Sequence, residues 1–142
     1  MFLGKFDHVI DSKGRLAVPA RFRDGLQGNA VITRGAERCV AIYPDSTWST
    51  LRASISALPI SDPNARMFRR FMFADAAPLD LDGQGRVMLP APLRNYAQID
   101  RSVVVVGMDA TIEIWSDLAW AQIESELDRN ADAITDRLAS VI

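Results

Sequence analysis

The sequence predicts an α+β fold built from two duplicated β units with flanking helices, related by a pseudo-twofold axis. Three observations carry that prediction. Asp11, Gly14, Arg15, Pro19, Ala20 and Arg23 recur 71 positions on as Asp82, Gly85, Arg86, Pro90, Ala91 and Arg94. The correspondence continues at a spacing of 72, where Gly35, Ile42, Asp45 and Trp48 meet Gly107, Ile114, Asp117 and Trp120. Each copy also passes from residues alternating at period two to a stripe at helical period. Units of this size close a core poorly alone, so two should pack together as one domain.

The first copy opens on a strand, with Phe6, His8 and Ile10 alternating with Asp7 and Val9. A four-residue polar break follows, then a second strand carrying Leu16 and Val18. Asp11 opens the turn by accepting backbone hydrogen bonds, and Gly14 closes it by tolerating positive φ. Arg15, four residues after Asp11, can reach back and clamp the carboxylate. That clamp and a contact to a ligand can coexist. Pro19 suits the first turn of a short helix, which Gly25 or Gly28 would end. Strands are expected over 30–33 and 39–43, and Asp45 or Ser46 should cap a helix striped with Trp48, Leu51, Ile55 and Leu58.

Pro59 stops that helix, and Asp62-Pro63 starts another. Its Phe68, Phe71 and Met72 form one face, and Arg66, Arg69 and Arg70 a basic side. A basic helix invites nucleic acid, but solvated or ion-paired arginines are the commoner outcome. The second copy repeats the plan with strands at 79–82, 86–89, 103–106 and 111–115 and a short helix after Pro90. From Asp117 a helix with Trp120, Ile123, Leu127, Ile134 and Leu138 near one stripe should pack, with a break near Asn130. The units are set at 1–58 and 76–142, joined by a connecting helix at 59–75. No low-complexity linker separates them.

With 49% hydrophobic and 24% charged residues, disordered and fibrous classes are excluded. No apolar run is long enough for a membrane span, and the N-terminus lacks signal-peptide features, so a cytoplasmic location is expected. A single cysteine, Cys39, rules out an intrachain disulfide and reads as a buried strand thiol. With one histidine, His8, the chain has no zinc ligand set, and no cofactor is expected. Nothing assembles an enzyme: no nucleophile stands beside a histidine, and Asp80, Asp82, Asp100 and Asp109 have no partner chemistry.

Net charge is −2, unevenly spread. Residues 1–71 carry 11 Lys or Arg against 6 Asp or Glu, net +5, and residues 72–142 carry 5 against 12, net −7. The asymmetry points to one copy facing an anion, with solvated surface variation as the plainer alternative. Lys13 is replaced by Gln84 and Arg21 by Pro92, so the second copy keeps the turn and loses cations.

The opening Met1-Phe2-Leu3-Gly4, the run Asp11-Ser12-Lys13-Gly14-Arg15 with Pro19-Ala20-Arg21-Phe22-Arg23, and the later Asp82-Gly83-Gln84-Gly85-Arg86 resemble the bacterial MraZ family. The resemblance covers roughly residues 1–128. It implies a double SpoVT/AbrB-type fold of swapped-hairpin-type units, assembled into a ring-shaped homo-oligomer on double-stranded DNA. It implies a regulator of the division and cell wall gene cluster that binds short tandem repeats upstream of its own gene, on the nucleoid. Carried over, the DNA-contact residues are Asp11, Lys13, Arg15 and Arg86, with Arg21 and Arg23 as further phosphate contacts. No small-molecule ligand or membrane is implied. AbrB-like antitoxins that bind a protein partner are the competing reading, and an apolar C-terminal helix packed on the domain argues against it.

Overall fold

The alternating stretch Lys5–Val9 forms β1 in the computed structural model, which describes residues 1–142. β2 (Arg15–Ala17), α1 (Ala20–Arg23) and a 3-10 turn at Asp24–Leu26 follow, then β3 (Val31–Arg34), β4 (Val40–Tyr43) and α2 (Asp45–Ser56). α3 (Pro63–Phe73) joins the copies. The second copy supplies β5 (Ala77–Pro78), β6 (Arg86–Met88), α4 (Ala91–Tyr96), β7 (Ser102–Gly107), β8 (Ile112–Ser116) and α5 (Asp117–Leu138).

A six-stranded sheet runs in the order β1-β7-β8-β4-β3-β5, and β2 pairs with β6 in a separate two-stranded ribbon. All pairings are antiparallel. The sheet order reads the same from either end once β1 is exchanged with β5, β3 with β7 and β4 with β8. The pseudo-twofold axis is visible in the registers. Leu16 stands opposite its own repeat equivalent Val87, and Ala41 opposite Glu113. The copies are therefore interlaced: β1 and β2 do not pair with each other but with β7 and β6 of the second copy. The expected local hairpin survives as a single rung, where Asp11 N donates to Arg15 O at 3.0 Å.

Two faces of the sheet are covered. Leu16, Val18, Phe22, Val87, Leu89 and Leu93 of the ribbon and short helices pack with Ile32, Ile42, Val103, Val105, Ile112 and Ile114 of the sheet into one core. On the opposite face Cys39, Val104, Val106 and Trp115 meet Trp120 and Ile123 of α5. β7 is buried on both sides, which is why it reads Val103-Val104-Val105-Val106 without alternation. Burial pushes the Cys39 thiol far up, so it stays protonated as a core side chain.

Several expectations need correction. The strand expected at 79–82 is only Ala77–Pro78, because Pro78 lacks an N–H and the chain leaves the sheet after Leu79 N donates to Ala30 O. α2 starts from Pro44 with no side-chain cap, and Asp45 sits in the first turn, near the positive end of the helix dipole. Asp62 does cap α3, accepting from Asn64 N at 2.8 Å with Pro63 behind it. Arg69 and Arg66 of α3 are used internally. Arg69 Nη2 donates to Ser56 O at 3.1 Å and to Leu58 O, and Arg66 Nη1 to Ile60 O at 2.8 Å, satisfying carbonyls at the end of α2 and beyond.

α5 runs unbroken through Asn130 from its cap Ser116, whose hydroxyl accepts from Ala119 N at 3.1 Å. It packs only over its first turns. Every residue from Ser125 onward is exposed, including Leu127, Ile134 and Leu138. The expected packed C-terminal helix is thus half free, with its apolar stripe open. No helix is long and apolar enough to cross a membrane.

A ribbon-tip candidate nucleic-acid interface

Antiparallel pairing of β2 with β6 decides the site. Leu16 and Val87 point into the core, each 1% exposed, so by strand alternation Arg15 and Arg86 point outward on either side of the axis. Two equivalent loops therefore stand at the two ends of the short ribbon, with both arginines on its outer face.

Each loop is organised by its aspartate. Asp11 Oδ1 accepts from the backbone N–H groups of Lys13 and Arg15, both at 2.9 Å, and Oδ2 accepts from Arg15 Nε at 2.7 Å. Asp82 repeats this with Gln84 N at 2.8 Å, Arg86 N at 2.9 Å and Arg86 Nε at 2.8 Å. The backbone N–H of the arginine is the largest of the influences that hold each carboxyl below the ordinary carboxylate range, and the guanidinium adds to it. Both arginines spend Nε on the clamp, and their terminal nitrogens make no hydrogen bond in it. Clamping and ligand contact are compatible, as the sequence allowed.

The loops are not equal. Arg86 Nη1 also lies 4.0 Å from Asp11 Oδ2, so the guanidinium groups of Arg15 and Arg86 both approach the first carboxylate, which Lys13 meets through its backbone N–H. Lys13 is exposed and makes no ion pair, whereas Gln84 occupies its place in the second loop. Arg21 is exposed, 5.5 Å above the Phe6 ring. Arg23 is committed: its Nε donates to Val18 O at 3.0 Å, and its guanidinium lies against Gly85 of the other copy.

Sequence reasoning passed over Arg94, which does for Gly14 what Arg23 does for Gly85. Its signal was available, because Arg94 is the repeat equivalent of Arg23. Arg94 and Arg101 share an open cleft with Asp11, Ser12 and Asp100 beside the first loop. Lys13, Arg15, Arg23, Arg86, Arg94 and Arg101 thus stand near Asp11, Asp82 and Asp100, six cations to three carboxylates in a chain of net charge −2.

Gly14 and Gly85 are required twice over. Their φ values are +81° and +74°, and a Cβ would sit 2.7 Å from Arg94 Nη1 or 2.4 Å from Arg23 Cζ. Gly85→Ala is expected to cost about 1–2 kcal/mol from the left-handed backbone alone, and to push Arg23 off the loop. A urea unfolding series checks this, and a midpoint equal to wild type would show that the loop relaxes freely.

Both halves of the chain match one protein family, described as "MraZ protein, putative antitoxin-like", over residues 1–71 and 72–141. Relatives named "Transcriptional regulator MraZ" align along nearly their whole length. The one from Thermomicrobium roseum is 49% identical over 142 residues, covering 100% of both chains. Those from Herpetosiphon aurantiacus and Lactiplantibacillus plantarum are 47% and 46% identical, covering 99% and 97% of this chain and 98% of each relative. The duplicated Asp–Arg loop, the interlaced copies and these full-length matches agree: the chain belongs to the MraZ family.

Proposed function

We propose that this chain is a sequence-specific DNA-binding transcription regulator, not an enzyme, that reads double-stranded DNA with its two ribbon-tip loops. The observation that carries the proposal is the pair of rigid Asp–Arg clamps on one face of the β2–β6 ribbon, with unpaired Lys13 beside them. A two-stranded ribbon fits the major groove. In this reading Arg15 donates to a guanine edge, Lys13 and Arg21 meet phosphates, and Arg86 makes the equivalent, weaker DNA contact from the second loop. Asp11 sets the loop, and Arg23 acts through the second loop. The relatives' name supports the regulatory role.

The finer assignments belong to the same proposal. Strand exchange between copies supports a double SpoVT/AbrB-type unit. The open stripe Leu127, Ile134 and Leu138 supports assembly of a ring-shaped homo-oligomer that covers it. Repeated subunits answer the acidic composition, since each adds a few cations and linkage turns weak contacts into tight binding to correctly spaced tandem repeats. The target is the promoter of the division and cell wall gene cluster, upstream of the protein's own gene, on the nucleoid in the cytoplasm.

Fluorescence anisotropy with DNA from upstream of that gene, against a scrambled duplex, tests the proposal. Selective binding should weaken with salt at a log–log slope of about −0.9 per phosphate neutralised. Wild-type protein that stays folded and ignores both duplexes would overturn it.

A further inference from the structure

The first copy carries a second cationic site away from the loops. Arg34 at the end of β3 and Arg38 after it converge on Tyr96 of α4, their guanidinium carbons 5.6 and 5.0 Å from its ring centre. Phe71, Asp75, Pro92 and Asn95 complete the walls of an open cleft of about 680 Å³. Arg34 pairs with Asp75 through Nη2 and also lies 5.6 Å above the Phe71 ring. Its Nε is buried without an acceptor. Arg38 makes no ion pair. Two guanidinium groups thus face one ring, and the single carboxylate of the cleft pairs with Arg34 alone, leaving the cleft one positive charge in excess.

The fold itself does not need this arrangement. At a spacing of 72, Arg34 and Arg38 correspond to Val106 and Ala110, so the second copy makes the same β-turn-β connection without either cation. That connection uses one left-handed residue in each copy, Glu37 at φ 62° and Asp109 at φ 63°. Only in the first copy does a second non-glycine residue, Arg38, join it at φ 70°. That backbone is fixed by Tyr96, whose hydroxyl accepts from Arg38 N at 3.3 Å and donates to Gly35 O at 2.6 Å. A strained residue held by a dedicated hydrogen bond is positioned for contact, because the turn closes without it.

We infer that the Arg34–Arg38–Tyr96 cleft binds the phosphate group of a small phosphate monoester. The planar forks of two guanidinium groups suit the three terminal oxygens of a monoester, of which a phosphodiester offers only two. The Asn95 amide offers a neutral donor, and Asp75 an acceptor for a ligand hydroxyl, which favours a sugar phosphate over inorganic phosphate. The inference stands on this cleft alone and does not depend on how the ribbon loops are used.

The test is a titration of the full-length protein followed through the arginine Nε–Hε signals, using inorganic phosphate, ribose 5-phosphate and a scrambled DNA duplex, each at constant ionic strength. Ribose 5-phosphate should shift the Arg34 signal saturably. Arg38→Ala and Asn95→Asp, both at exposed positions, should each raise its Kd at least tenfold, while Arg137→Ala on α5 leaves it unchanged. No saturable shift with either phosphate, or equal affinity in Arg38→Ala, would overturn the inference. Saturation by the duplex alone would assign the site to backbone phosphodiester and reject the small-molecule ligand. A change in subunit number in Arg38→Ala without any phosphate shift in wild type would reject the ligand and make the cleft a protein contact.

Discussion

Asp11→Ala should abolish selective DNA binding even though it removes a negative charge from the interface. Charge counting predicts the reverse, since deleting a carboxylate beside Lys13, Arg15 and Arg86 raises the local positive potential. Geometry wins because Asp11 accepts three hydrogen bonds that fix the loop, two from backbone and one from the Arg15 guanidinium. Without them Arg15 loses its aim, and a misdirected bidentate donor forfeits about 1–3 kcal/mol of base discrimination per contact, multiplied over the subunits of an assembly. Arg15→Ala should give the same loss by removing the donor itself, with the backbone bonds to Asp11 kept and only a small change in unfolding, as expected for a half-buried pair still open to solvent screening. Arg86→Ala should cost less, because its loop lacks a counterpart of Lys13. Anisotropy titrations of the three variants decide the matter. Tighter binding by Asp11→Ala would mean that charge, and not loop geometry, governs recognition.

Much of this site was legible because a duplicated sequence carries its own internal control. The recurrence of Asp11 and Arg15 as Asp82 and Arg86 separates what the loop needs from what varies, and both clamps form. The loss of Lys13 and Arg21 to Gln84 and Pro92 likewise foretold unequal loops. Strand partners were less legible from the residues themselves. Alternation in β1 and β2 fixes which side chains face inward but not which neighbour supplies the hydrogen bonds, so the residue pattern alone reads as a local hairpin. Arg69 looked like a surface cation, because nothing in the sequence shows that the last carbonyls of α2 lie within its reach. The same limit applies to α5. Its stripe marks an amphipathic helix, yet periodicity does not tell whether the cover is this chain or another, and Leu127, Ile134 and Leu138 are open. Asn130 did not break that helix, since an exposed asparagine costs only a fraction of a kcal/mol there, roughly 0.7 at most.

Phe22→Ala should have the largest effect on stability, and it should reach the interface as well. Phe22 is 1% exposed, with its ring edge-on to Phe2 at 5.3 Å and to Phe6 at 5.4 Å. Truncating such a side chain costs about 3–5 kcal/mol, a large part of the about 5–15 kcal/mol that holds a domain folded. α1 is only four residues long, too short to persist on propensity, so it exists because Phe22 is anchored beneath it. Its loss frees Arg21 and Arg23 on either side, and with Arg23 goes the support of Gly85 in the second loop. Phe22→Leu keeps most of the volume and should cost less than half as much. Urea unfolding of the two variants, read as midpoints at constant slope, measures the difference. A Phe22→Ala protein within about 1 kcal/mol of wild type would show that α1 is not anchored by this ring. DNA titration of Phe22→Leu then separates the two roles, because a variant that stays folded but binds more weakly has lost loop support and not its fold.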